Sequence, residues 1–165
     1  MGILSIIIDT REQTPWAFDL AQVEARVGTL KTADYALEGD DRFGIERKSL
    51  DDFLGTISTR WGPFCRQINR MDEAKWVARV IIVEGDYFAC VFKTSYEGSK
   101  ARLDAPEHRH FKLTPQFIEK RIAELTMRGV SVLFAANAEL AAGMATAIFR
   151  ERSRQLWQAI EELGK

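Results

Sequence analysis

Three short runs of aliphatic and β-branched residues, Ile3 to Ile8, Val77 to Val83 and Val130 to Ala135, constrain this chain more than any other feature. Such runs are the pattern of strands covered on both faces, because a strand with one wet face would alternate with polar residues. Helical stretches lie between and after them. Ser49 can cap a helix in which Leu50, Phe53, Leu54 and Ile57 recur at i, i+3, i+4 and i+7. Pro63 opens a second, with Phe64, Ile68 and Met71 on one side. Thr114-Pro115 begins a third that stops at Gly129, and Asn137 precedes a long final helix from about Ala138 to Leu163. On that helix Leu140, Met144, Ile148, Leu156 and Ile160 form the stripe expected to pack on the sheet. Strands alternating with helices predict an α/β domain with a central sheet flanked by helices. Residues 95 to 112 show no period and read as a long loop.

With 165 residues the chain suits a single domain, and 46% hydrophobic with 28% charged residues is a globular balance. A net charge of −1 excludes a polycation, so any nucleic-acid contact must be a local patch. Cys65 and Cys90 are the two cysteines and sit beside apolar residues, which points to small core residues in a reducing compartment. The apolar start is too short for a membrane span and has no basic leader, so a cytoplasmic protein is expected.

The chemistry concentrates at residues 34 to 52. Asp34 to Glu38 and Arg42 to Lys48 both alternate, and Gly39, Asp40 and Asp41 between them form a turn signal. A three-residue loop there would set Tyr35 opposite Ile45 and Leu37 opposite Phe43 on one face. On the other face Asp34 would oppose Glu46, with Lys48 one strand step further on. Opposed carboxylates lie roughly 5 Å apart at Cβ and repel, so a compensating charge is needed. A divalent cation such as magnesium, which takes oxygen ligands, answers that need. Asp9, ending the first apolar run, can add a third carboxylate, and Lys48 an ammonium beside the bound water or phosphate. Such a set suits phosphodiester hydrolysis. Simpler roles stand beside it. Acid-x-Lys is common on strands, Asp9 and Glu12 resemble a capping box, and Asp52 stands at N3 after Ser49. Arg47 points to the opposite face from Glu46 and Lys48, which favours an ion pair.

Taken in order, the stretches IIIDTRE, TADYAL and IERKSLDD resemble the nuclease domain of the XPF/Hef family of structure-specific endonucleases. Its signature is Gly-Asp, a spacer, Glu-Arg-Lys and an aspartate after three more residues. Asp34, Glu46, Arg47, Lys48 and Asp52 fall on that signature, and Asp9 on the family's earlier strand-end aspartate. FCRQINRM is similar to the helix that follows. The likeness covers roughly residues 4 to 84 by motif and the rest by element order. It implies a restriction-endonuclease-like core and Mg2+- or Mn2+-dependent DNA cleavage at branches or flaps. It also implies metal ligation by Asp9, Asp34 and Glu46, with Lys48, Arg47 and Asp52 in the catalytic set. Two departures accompany it. Ala33 replaces the family's glycine before the aspartate, and nothing resembles the tandem helix-hairpin-helix modules that usually follow. A single nuclease domain over residues 1–165 is therefore expected.

DNA contacts are expected from Arg11, from Arg60, Arg66 and Arg70, and from Lys100, Arg102, Arg109 and Lys112 in the long loop. A His/Cys zinc site is not expected from His108, His110 and two distant cysteines. The resemblance further implies a homodimer through the terminal elements, or a heterodimer with a DNA-targeting subunit. A catalytically silent DNA-binding subunit and an RNA-directed nuclease remain the competing functions.

Overall fold

The computed structural model describes residues 2–96 and 113–164. Their strands build one mixed sheet in the order β2-β1-β3-β4-β5-β6. The strands are β1 Leu4–Asp9, β2 Val23–Gly28, β3 Tyr35–Leu37, β4 Ile45–Ser49, β5 Arg79–Glu84 and β6 Val130–Ala135. The helices are α1 Leu50–Ile57, α2 Trp61–Glu73, α3 Tyr87–Tyr96, α4 Pro115–Met127 and α5 Ala138–Leu163. Only β3 runs against its neighbours; β1 is parallel to β2, β4 to β5 and β5 to β6. The carboxyl ends of β1, β4, β5 and β6 consequently meet at one edge of the sheet, and β3 starts there. Ligands of open α/β sheets bind at this kind of edge.

Two cores explain the apolar runs. On one face Leu4, Ile6, Ile8, Tyr35, Ile45 and Ile82 pack against Ala141, Ala145 and Phe149 of α5. On the other, Ile81, Val83 and Val130 meet α1, α2 and α4 through Phe53, Ile57, Phe64, Ile68, Ile118 and Leu125. The predicted caps form: Ser49, Thr114 and Asn137 each accept a bond from the backbone N–H three residues on. Gly129 takes the left-handed conformation beyond α4.

Three expectations change. The β3–β4 register holds at Tyr35 opposite Ile45, but the strands stop at Leu37 and resume at Ile45, so the connection spans residues 38 to 44. The side chains pull it out of the ladder. Phe43 meets Phe149 edge-on at 5.9 Å, Glu38 accepts from Ser5 at 2.7 Å, and Asp40 turns inward to Arg152. Second, α5 buries Ala141, Ala142, Ala145, Phe149 and Arg152, with Met144, Ile148 and Leu156 flanking. Leu140 and Ile160 of the expected stripe are 57% and 60% exposed. Small alanines let the helix backbone approach the sheet, and that selects the face. Third, β2 is an additional strand. Four of its six residues are exposed at the sheet edge, so no apolar run announces it.

Gly44 sits where the chain is tightest. A methyl group there would lie 2.7 Å from the Ala33 Cβ and 3.0 Å from the Tyr35 carbonyl oxygen. Ala33 itself is buried at φ 74°, a left-handed conformation that glycine adopts more cheaply. The residue before Asp34 thus keeps the backbone shape for which glycine is suited, with an alanine in it.

Candidate active site

Asp34, Glu46 and Lys48 come together on the α2 side of the sheet. Asp34 precedes β3, and its Oδ2 accepts the Arg47 backbone N–H at 2.7 Å. Glu46 Oε1 accepts from Lys48 Nζ at 2.6 Å, and Glu46 Oε2 from Gln67 Nε2 of α2 at 3.5 Å. These two side chains are 15% and 19% exposed, enough for a small ion to reach. Burial, and then the neighbouring charge of Glu46, push the Asp34 carboxyl up to about 7; the Arg47 N–H and Lys48 oppose the rise. An Asp34 carboxyl that resists ionisation beside a second acidic side chain is the arrangement a hard cation relieves.

Asp9 stands differently. Its side chain is fully buried, and Arg11 grips it through Nε at 2.6 Å and a second guanidinium nitrogen at 3.2 Å. The backbone N–H groups of Arg11 and Leu30 donate to the same carboxylate. The Arg11 side chain, with these amides, outweighs burial and holds Asp9 down at about 2. Both oxygens are spent, so Asp9 is the partner of Arg11 rather than an open ligand. Among the described residues no group of three or more His, Cys, Asp or Glu side chains is gathered closely enough to hold a metal. The carboxylates of Asp34 and Glu46 remain, and they suit magnesium, which takes one or two carboxylates together with water and phosphate oxygens.

Arg47 lies on the back of β4, as strand alternation requires. Its guanidinium bonds Glu84 at 2.7 and 3.2 Å, Glu12 at 3.0 Å and the Thr14 carbonyl. Trp16 donates its indole N–H to Glu84 at 2.5 Å and stacks on Tyr35 with ring centroids 4.4 Å apart. Burial opposes ionisation of Glu84, but bonds from Arg47 and Trp16 prevail and keep the carboxyl below its ordinary value. Glu12 accepts from Thr14 and Arg47 and does not close a capping box onto Asp9. Asp52 is a helix-cap residue. Its N–H donates to Ser49 Oγ, and its exposed carboxylate takes bonds from Ser49 and Arg60. No bond connects it to Asp34 or Glu46 among those of the described residues, so its membership of the catalytic set does not follow from the geometry.

Of the expected DNA contacts, Arg66 and Arg70 are exposed on α2, Arg60 is engaged with Asp52, and Arg11 is 69% exposed while tied to Asp9. Lys100, Arg102, Arg109 and Lys112, with His108 and His110, lie outside the described residues. Glu84, Trp16, Glu12 and Gln67 are the partners that sequence reasoning did not place. Glu84 had a signal: it closes an apolar strand with an acid, as Asp9 does. Gln67 had none, because its partner is 21 residues away.

The ERCC4 domain family matches residues 8–148. Among curated proteins no sequence match is found. Solved structures of XPF from Aeropyrum pernix are similar in fold: one matches with a TM-score of 0.60 at 19% identity over 95% of this chain and 69% of its own. Another, in complex with DNA, matches with a TM-score of 0.64 at 18% identity over 92% of this chain and 66% of its own. The chain thus spans about two thirds of the length of these structures. A six-stranded mixed sheet between helix layers, with Asp34 and Glu-Arg-Lys at its edge, fits that match over 141 residues: the chain belongs to the ERCC4 family and has the restriction-endonuclease-like fold of the XPF-type nuclease domain.

Proposed function

We propose that the chain is a single-domain, Mg2+- or Mn2+-dependent DNA endonuclease that hydrolyses phosphodiester bonds at branched or flapped structures. The supporting observation is the Asp34 carboxyl raised to about 7 beside Glu46, with Lys48 bonded to Glu46. The Aeropyrum pernix structure described as a DNA complex supports DNA as the substrate. Asp34 and Glu46 would hold the ion, and a divalent cation there would supply charge neutralisation at the phosphate and a more acidic water. Lys48 places its ammonium where it orients the attacking water or steadies the phosphate. Arg47 fixes the strand from behind, and its backbone N–H orients the Asp34 carboxylate. Asp9 would add a third carboxylate only with its bonds to Arg11 released. Arg11, Arg66 and Arg70 neutralise backbone phosphates without reading sequence. Water attack at phosphorus that expels the 3′ oxygen leaves a 5′-phosphate and a 3′-hydroxyl. Such work belongs in the cytoplasm, at the nucleoid.

A cleavage panel on duplex, flap and forked DNA and on RNA, with Mg2+, Mn2+ or EDTA, tests the reading. Cleavage of DNA that EDTA abolishes is expected, with Glu46→Ala slower by more than about 100-fold, beyond the roughly 10- to 100-fold loss from disturbing an outer metal partner. Full activity in Glu46→Ala, or no metal-dependent product from any substrate, rejects it. The grip of Arg11 on Asp9 favours one rival, a DNA-binding subunit without catalysis; retained DNA binding with no cutting would establish that function instead.

The proposal includes pairing, with a second copy or with a DNA-targeting subunit. Trp157, Ile160 and Leu163 of α5 are 65%, 60% and 88% exposed, an apolar display that suits an interface. Light scattering at micromolar concentration should return twice the 18.8 kDa chain mass. A monomer mass there removes the homodimer.

A further inference from the structure

The face of β4 away from the carboxylates carries a clamp that closes on Arg47. Residues on a strand alternate, so Arg47 cannot touch the ion that Glu46 and Lys48 flank. Its peptide nevertheless belongs to the site, because the Arg47 N–H donates to Asp34 Oδ2 at 2.7 Å. Whatever fixes Arg47 fixes that N–H, and with it the segment from which Glu46 and Lys48 project. Among the described residues, Glu84 supplies two of the four bonds that hold the guanidinium, with Glu12 and the Thr14 carbonyl supplying the others. Glu84 ends β5 opposite Ser49, binds the guanidinium at 2.7 and 3.2 Å, and is steadied by the Trp16 indole at 2.5 Å. Trp16 in turn stacks on Tyr35, the residue after Asp34. Three separate segments, residues 12–16, β4 and β5, are joined at one carboxylate that is 18% exposed.

We infer that Glu84 is a positioning residue, which holds Arg47 so that its backbone N–H aims the Asp34 carboxylate and the strand presents Glu46 and Lys48 together. The activity arm of its test rests on the nuclease reading above; the structural arm does not. A packing role alone would let Glu84→Ala lower stability while the folded molecules kept a normal site. Positioning predicts a fault in the folded protein.

The experiment compares wild type, Glu84→Ala, Glu84→Gln and Trp16→Phe as full chains. Folded fraction comes from circular dichroism, kcat and KM from the substrate the panel selects, and Arg47 amide exchange from NMR. In Glu84→Ala, kcat per folded molecule should fall about 10- to 100-fold, as for orienting partners of metal ligands. KM should move by less than about threefold, since no contact to DNA is removed. The Arg47 amide should exchange faster as its bond to Asp34 loosens. Glu84→Gln keeps an acceptor for Arg47 Nε and the indole, and should recover most of the rate. Trp16→Phe keeps the ring on Tyr35 but removes the donor, and should cost about fivefold. Unchanged Arg47 protection in folded Glu84→Ala, or a loss confined to KM, overturns the inference. If wild type cuts nothing with any metal, the nuclease reading fails on its own and Arg47 exchange still decides the role of Glu84. Should Glu84→Ala not fold, Glu84→Gln and Trp16→Phe carry the same comparison.

Discussion

Arg152→Ala is expected to cost about 3–5 kcal/mol of folding stability, the range for breaking a buried ion pair from one side. Arg152 Nε donates to Asp40 Oδ2 at 2.7 Å, and the two side chains are only 10% and 3% exposed. The guanidinium also lies 5.9 Å from the centre of the Phe43 ring. Removing it strands a carboxylate against the α5 core and frees the connection that leads into Glu46. A native stability of 5–15 kcal/mol leaves little after such a loss. Urea unfolding should show the midpoint falling sharply with an unchanged slope. Arg152→Met combined with Asp40→Asn should recover much of the deficit, because no charge is then left unpaired. A midpoint near wild type for Arg152→Ala alone would mean that water reaches Asp40 and the pair contributes little.

Asp34→Asn should raise stability and remove activity together. The carboxyl moves from its usual 3.8 to about 7 on folding. Well below pH 3.8 it is protonated in both states and costs nothing. As pH rises from 4 through 7 the unfolded chain ionises first, so the folded state loses stability over that window. The full displacement corresponds to roughly 4 kcal/mol, and sharing the charge with Glu46 and water reduces it. The asparagine variant keeps an acceptor for the Arg47 N–H and carries no charge. In EDTA it should melt well above wild type at pH 8 and alongside it at pH 4. An equal gain at both values would show that charge is not the cause. On the proposed chemistry, cleavage should fall at least about 10³-fold, since several kcal/mol of charge stabilisation go with the ligand. Saturating Mg2+ should then raise the melting temperature of wild type and leave the variant where it was.

What could be read from the sequence follows from the range of each interaction. The strands β1, β5 and β6 appeared as apolar runs because both their faces are covered. Ser49, Thr114 and Asn137 appeared because a cap reaches only three residues. Tyr35 opposite Ile45, with Arg47 turned away from Glu46 and Lys48, came from the period of two and survived even though the assumed tight turn did not. β2 stayed hidden because an edge strand such as VEARVG has little to bury. The long helix was legible in part: Met144, Ile148 and Leu156 do flank the core, whereas alanines rather than Leu140 and Ile160 complete the buried face. At the site, Asp34, Glu46 and Lys48 were visible as a local pattern. The grip of Arg11 on Asp9 and the junction at Glu84 depend on orientation and on partners up to 68 residues away, which spacing does not encode.

The packing of Ala33 against Gly44 makes the order of substitution at these two positions matter. A side chain cannot enter at 44 while the methyl at 33 stands 2.7 Å from its place. Replacing Ala33 by glycine first would clear that obstacle, leaving the Tyr35 carbonyl at 3.0 Å and the Trp76 ring at 3.2 Å to yield by tenths of an ångström. One order of substitutions therefore passes through a tolerated intermediate and the reverse order through a strained one. With alanine before the aspartate, glycine eleven residues later is a steric requirement.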